Sequence, residues 1–136
     1  MVLKAHHRKA IYVTHAGQGV GHLLYFIRRN MSPRTLEREF GHLGFRNIPD
    51  RIDYIWIEQI FVHDWCRRKG VGSRALDELF EQITRPTLIA LGPADFDQST
   101  PTGFKNVLRF YRENGFRILE HEGVTYALTL KRPRRV

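Results

Sequence analysis

The chain predicts an α/β (α+β) fold with a central mixed, mostly antiparallel sheet flanked by helices, in a single domain over residues 1–136. Three observations carry this. Aromatic and β-branched runs alternate with helix-period stretches in the order β-β-α-β-α-β-α-β-β. One run, Thr87 to Leu91, is short and continuously apolar, as in a buried parallel strand. The last two runs flank Glu122-Gly123, as in a hairpin. That order gives one parallel crossover in an otherwise antiparallel sheet.

Lys9 to His15 has strand bias, Ala16 to Gly21 a turn composition, and Gly21 to Arg29 reads as a second strand. Gly17-Gln18-Gly19-Val20-Gly21 lacks the last glycine of a dinucleotide fingerprint, so a hairpin turn is expected there. Ser32-Pro33 opens a helix, with a capping residue followed by proline at the first helical position; it should run to about His42 and stop at Gly44. A long strand spans Ile52 to Val62. The helix from Val71 to about Thr84 places Val71, Ala75, Leu76, Leu79, Phe80 and Ile83 on one face. After a polar loop, Gly92 to Thr102, a helix from about Gly103 to Asn114 presents Phe104, Val107, Leu108 and Tyr111, with Gly115 as its stop. Phe116 to Glu120 and Thr125 to Leu130 close the hairpin.

Composition is that of a globular protein, and no apolar run reaches the roughly 20 residues of a membrane span. With no signal-like stretch, a cytoplasmic location is expected, without membrane association. The lone cysteine, Cys66, allows no intrachain disulfide and reads as a loop residue. His6, His7, His15, His22 and His63 lack ligand spacing, so no metal site is expected. Asp95 and Asp97 read as loop polarity. Net charge is +8, which favours anionic partners. The basic tail, residues 131–136, reads either as a solvated end or as an arm that contacts nucleic acid.

The chemistry concentrates between Ile55 and Leu79, an apolar strand, a basic glycine loop and an amphipathic helix. Glycines at a helix mouth admit an anion to backbone N–H groups. The helix dipole and Arg67, Arg68 and Lys69 add positive charge. This is a socket for a phosphorylated ligand. It does not match the nucleotide P-loop pattern.

Two motifs resemble the GNAT superfamily of N-acetyltransferases. Arg67-Arg68-Lys69-Gly70-Val71-Gly72 follows a strand ending in Phe61-Val62 and is similar to the family's main signature. Tyr111-Arg112-Glu113-Asn114-Gly115-Phe116, a tyrosine four residues before Gly-Phe, is similar to the second. Tyr54 to Leu76 resembles spermidine/spermine-type members, with Glu58 four residues before the strand-ending valine. The resemblance covers about residues 52–130.

That resemblance implies an acyl donor, acetyl-CoA, with its diphosphate held by the loop Arg67, Arg68, Lys69, Gly70, Val71, Gly72 and Ser73. It implies a pantetheine arm running along Phe61 and Val62, where a β-bulge splays the strand from its parallel neighbour. The implied acceptor is a primary amine on a small molecule or a protein. A lysine-like ammonium must first lose a proton, costing roughly 4.6 kcal/mol at pH 7. Glu58, expected on the face of Ile60 and Val62, is the candidate base. By the same resemblance, Tyr111 is the candidate acid for the leaving thiolate.

Two departures from the family pattern stand, the first at the start of a helix that meets the cofactor's arm and the second on the acceptor side. Phe104 stands where many members have asparagine, and only one helix is found in the N-terminal half, after a hairpin, where the family places two helices between its first strands. Trp56, Trp65 and Phe45 are candidates for an apolar acceptor wall or for packing. Two other classes compete: a basic nucleic-acid-binding domain and a non-catalytic acyl-CoA sensor. A monomer or homodimer is expected.

Overall fold

A computed structural model describes residues 8–63, 70–93 and 101–133, with side chains from Phe104 onward in the last stretch. The elements are β1 (Arg8–His15), β2 (Gln18–Met31), α1 (Pro33–Phe40), β3 (Ile52–Val62), α2 (Val71–Glu81), β4 (Thr87–Leu91), α3 (Pro101–Glu113), β5 (Arg117–His121) and β6 (Val124–Lys131). They appear in the expected order. One six-stranded sheet runs β1-β2-β3-β4-β6-β5. β3 and β4 pair parallel, and the other four neighbouring pairs are antiparallel. The continuous apolar run of β4 is buried at every residue, because helices cover both faces of the sheet there.

Each face carries its own core. On one, Val71, Ala75, Leu76 and Leu79 of α2 pack with Ile55, Ile57, Ile89, Leu91 and Tyr111. Burying each large side chain contributes about 1.5–3 kcal/mol. On the other, Leu36 and Phe40 of α1 pack with Tyr54, Trp56, Leu88 and Tyr126.

Three boundaries differ from expectation. The first hairpin turns at Ala16 and Gly17, both at positive φ (52° and 79°), so Gly19 and Gly21 belong to β2. Helix α1 stops at Phe40, not near His42, because Gly41 takes a left-handed φ of 81° and returns its N–H to the Glu37 carbonyl. A Cβ at Gly41 would lie 2.7 Å from Nδ1 of His121 on β5. Helix α2 ends at Glu81, where the Gln82 and Ile83 N–H groups tighten the last turn onto Leu79 and Phe80.

No second helix follows α1. The chain instead runs irregularly from Gly41 to Arg51. Arg117 donates to the Gly44 carbonyl (2.8 Å) and lies over the Phe45 ring (4.7 Å). Arg132 donates to the carbonyls of Arg46 and Asn47. The guanidinium groups thus take up carbonyls that a helix would have satisfied internally.

Candidate active site

The glycine loop meets α2 at Gly70, which caps the helix with φ 74° and ψ 14°. That left-handed backbone costs an L side chain about 1–2 kcal/mol and glycine nothing. Among the described residues no side chain caps the helix, and a Cβ at Gly70 would meet nothing within 4 Å. Val71 points into the core. Gly72 has a different reason to be glycine: a Cβ there would sit 3.0 Å from the Phe110 ring on α3. Ser73 Oγ accepts from the Asn114 side chain, which also holds the Phe110 carbonyl, so α3 braces this turn. Arg67, Arg68 and Lys69 lie outside the described residues, as do Cys66, Trp65, Asp95 and Asp97.

β3 feeds this loop. Its parallel pairing with β4 covers Asp53 to Trp56 and ends there, leaving the edge from Ile57 to Val62 without a strand partner on that side among the described residues. On the other side, the register with β2 shifts between Leu24 and Tyr25, which makes Glu58 the extra residue of a β-bulge. The bulge corrects the expected orientation of Glu58. Ile57, Ile60 and Val62 pack toward α2, whereas Glu58 turns to the α1 face, beside Trp56 and Phe26. Simple alternation fails because one additional residue reverses the parity.

Glu58 accepts a hydrogen bond from Arg8 at 2.8 Å, between Nη2 and Oε1. Both side chains are part-exposed (53% and 37%), so the pair contributes little to stability. Its second oxygen, Oε2, is buried with no donor among the described residues. An unmade hydrogen bond of this kind costs about 1–3 kcal/mol. The Arg8 guanidinium stands 5.8 Å over Phe26, the cross-strand neighbour of Trp56. Behind them, Phe40 stacks on Trp56 and meets Tyr126 edge-on. Trp56 and Phe45 are thus packing residues of the α1-side core.

Tyr111 comes from the last turn of α3 and is 2% exposed. The second motif is a helix stop in physical terms. The Phe116 N–H returns to the Tyr111 carbonyl, the Gly115 N–H returns to Arg112, and Gly115 sits at φ 89°. The Tyr111 and Phe116 rings then meet at 5.6 Å, the apolar contact that accompanies this cap. The cap fixes where the phenol stands, on the α2 face of the sheet. Burial pushes its pKa well above that of a free phenol. Glu58 and Tyr111 therefore flank β3 from opposite faces.

Phe61 is part-exposed and stacks on His22 (5.2 Å), which also hydrogen-bonds Gln59. Val62 lies opposite Gly21 and packs toward α2. Of the basic tail, Lys131 lies over the Phe80 ring and Arg132 braces residues 46 and 47, so both already serve the fold. No group of three metal-ligating side chains occurs among the described residues. Among them, too, no helix is long and apolar enough to cross a membrane. Sequence reasoning missed Arg8, Asn114 and Gly21. Asn114 lay inside a recognised motif, but Arg8 gave no local signal: only the β1–β2–β3 register brings it to Glu58.

A mouth of backbone N–H groups beside an open strand edge is the arrangement expected of an acetyltransferase of the GNAT class. The profile of the acetyltransferase (GNAT) domain matches residues 24–118. The chain belongs to that family. Among solved structures, Arabidopsis thaliana NAA60 in complex with a bisubstrate analogue is similar in fold, at 12% identity and TM-score 0.53 over 86% of this chain and 67% of that one. The Bacillus subtilis N-acetyltransferase YlbP in complex with coenzyme A gives 12% and 0.52 over 90% and 70%. A KacTA–DNA complex gives 7% and 0.55 over 93% and 70%. At these identities the likeness is one of fold. A search among curated proteins gives no match.

Proposed function

We propose that this protein is an acetyl-CoA-dependent N-acetyltransferase that acetylates a primary amine by direct attack within a ternary complex. One observation carries the reading. The N-terminus of α2, the open edge Ile57–Val62 and Glu58 belong to or adjoin the C-terminal half of β3, with Tyr111 in the core on its α2 face. Family membership supports the acyl transfer; the acceptor and the roles below are our reading.

When bound, acetyl-CoA supplies an acetyl group activated as a thioester. The chain's own residues do the rest. Backbone N–H groups around Gly70, Val71, Gly72 and Ser73, with Arg67, Arg68 and Lys69, bind the diphosphate. Phe61 and Val62 offer backbone groups to the pantetheine arm, and donors near Val62 polarise the carbonyl oxygen. Glu58 takes the proton from the acceptor's ammonium. The raised pKa of Tyr111 keeps its phenol protonated at every working pH. It also makes full proton transfer to a thiolate, whose conjugate thiol has a pKa near about 8.5, unfavourable. Tyr111 therefore donates a hydrogen bond that steadies the departing sulfur until solvent protonates it. The nitrogen loses two protons in all, one to Glu58 and one as the amide forms; the sulfur regains one.

A polyamine acceptor, as in the spermidine/spermine-type members, suits the site poorly, because Arg8 already stands against Glu58 and the chain carries +8. A small-molecule or protein amine fits better. Calorimetry with coenzyme A and acetyl-CoA, followed by thiol release across an amine panel, tests the reading. Tyr111→Phe should slow release and leave coenzyme binding nearly intact. Glu58→Gln should lose activity chiefly at low pH, where the amine most needs a base. Binding without turnover on any amine would make the protein a sensor. No binding by folded protein would remove the assignment.

A further inference from the structure

The ion pair between Arg8 and Glu58 goes beyond a generic amine site, and it lies partly outside the family match, which begins at residue 24. Resting on the reading that Glu58 receives the acceptor's amine, we propose that Arg8 is a specificity residue and that the acceptor is a free α-amino acid with an apolar or aromatic side chain.

The two charges at this pair complement the two charges of an amino acid. Glu58 offers two carboxylate oxygens. Oε1 is held by Arg8 at 2.8 Å, while Oε2 is buried and lacks a donor among the described residues. Oε2 is closed to solvent, so an incoming ammonium meets Glu58 in the exposed part of its side chain, at Oε1 beside Arg8. Arg8 engages Glu58 through one terminal nitrogen, Nη2, and its side chain is 53% exposed. Much of that side chain is open to solvent, and a fork of N–H donors fits a carboxylate. A ligand that carries ammonium and carboxylate on one carbon satisfies both groups without separating them. A ligand that is only cationic brings its charge against Arg8. Beneath the pair lie the part-buried Phe26 and Leu24, backed by Trp56, an apolar floor for the amino acid's side chain. The geometry is built by the fold: the register pairs Arg8 with Phe26, and the bulge turns Glu58 onto that face.

The test compares L-phenylalanine, L-phenylalaninamide and phenethylamine, which share a ring and an amine but differ in the carboxylate. The wild-type protein should favour phenylalanine in kcat/KM by at least about tenfold over both others, the low end of what a charge-assisted hydrogen bond gives. In Arg8→Gln the ratio should fall to about one, and Arg8→Lys, which keeps the charge but not the fork, should lie between. Calorimetry of the protein saturated with coenzyme A should detect phenylalanine, with affinity lowered about tenfold or more in Arg8→Gln. A ratio near one in the wild type, a ratio that survives Arg8→Gln, or equal use of the amide overturns the proposal while amine turnover keeps the enzymatic reading. Coenzyme binding with neither turnover nor heat from phenylalanine also overturns it. Absence of coenzyme binding removes both.

Discussion

Gly21 and Gly19 stand two residues apart on β2, and the structure gives them opposite tolerances. A Cβ at Gly21 would lie 2.6 Å from the Phe61 carbonyl oxygen and 2.9 Å from Cγ1 of Val71. A relaxed carbon–oxygen contact needs about 3.3 Å, so something must move by about 0.7 Å. Phe61 is fixed by its pairing with His22, and Val71 is a buried β-branched residue with little rotamer freedom. At Gly19 a Cβ would meet nothing within 4 Å. Both substitutions to alanine gain the same backbone entropy, about 0.5–1 kcal/mol, which cancels between them. The difference that remains is overpacking, about 1–3 kcal/mol. Unfolding entropy near 2.1 cal/mol/K per residue turns this into a gap of roughly 3.5–10 °C between the two melting temperatures. Gly19→Ala should melt at or slightly above wild type. Because the strain falls on Phe61 and Val71, on either side of the glycine loop, Gly21→Ala should also bind coenzyme A more weakly. Differential scanning calorimetry and titration read both quantities. Equal melting temperatures for the two variants would refute the steric reasoning, and a stable Gly21→Ala with unchanged affinity would separate Gly21 from the loop.

Gly70→Ala should cost about 1–2 kcal/mol through its left-handed backbone alone, since no atom of the described residues obstructs the new methyl. Gly70→Asn should cost less, because asparagine tolerates that region, and identical losses on thermal melting would exclude the conformational cause. Stability should also fall on the alkaline side. Burial raises the phenols of Tyr54 and Tyr111, so the unfolded chain releases their protons above about pH 10 while the folded chain holds them. Each then lowers stability by up to about 1.4 kcal/mol per pH unit in that window and contributes nothing below it. Tyr25 and Tyr126 are raised in the same direction, so urea unfolding from pH 9 to 11 should steepen with pH and Tyr54→Phe should remove one part of that dependence; an unchanged slope would show that Tyr54 titrates freely.

The parts of the site that depend on local chemistry were legible. Gly70 after a strand and before an amphipathic run marks the helix mouth, and the structure gives it a left-handed backbone that glycine permits. Tyr111, Gly115 and Phe116 stand where one helix stop needs them, so the spacing alone located the phenol. The strand order followed from periodicity and from one buried run. What could not be read depends on register. The bulge at Glu58 is absent from any local pattern, because β3 alternates plausibly with or without it; only Leu24 opposite Gln59 and Tyr25 opposite Ile57 fix the extra residue. A one-residue shift turned Glu58 to the other face, and with it the partner it meets. Gly41 was passed over as a helix stop because its reason lies in His121, far along the chain.

The same limit explains why the acceptor side carries the least transferable chemistry. The sheet and its two α2-side helices are held by short-range rules, and they serve a ligand whose shape does not change from one family member to another. The α1 side is built by long-range contacts instead. One helix covers it, followed by residues 41–51, whose carbonyls are held by Arg117 and Arg132 from the final hairpin. A wall fastened by side chains can change shape when a single arginine changes, whereas a helix keeps its backbone bonds whatever its surface carries. This chain spans 63–70% of the length of the solved structures it resembles. On the proposed reading, selectivity comes from the polar groups on that face. Near the bulge these include Arg8 and Glu58, one from β1 and one from β3, brought together across β2, and the hydrogen-bonded pair His22 and Gln59. On the proposed reading, the amine's position and the acceptor's identity are set by the same contact.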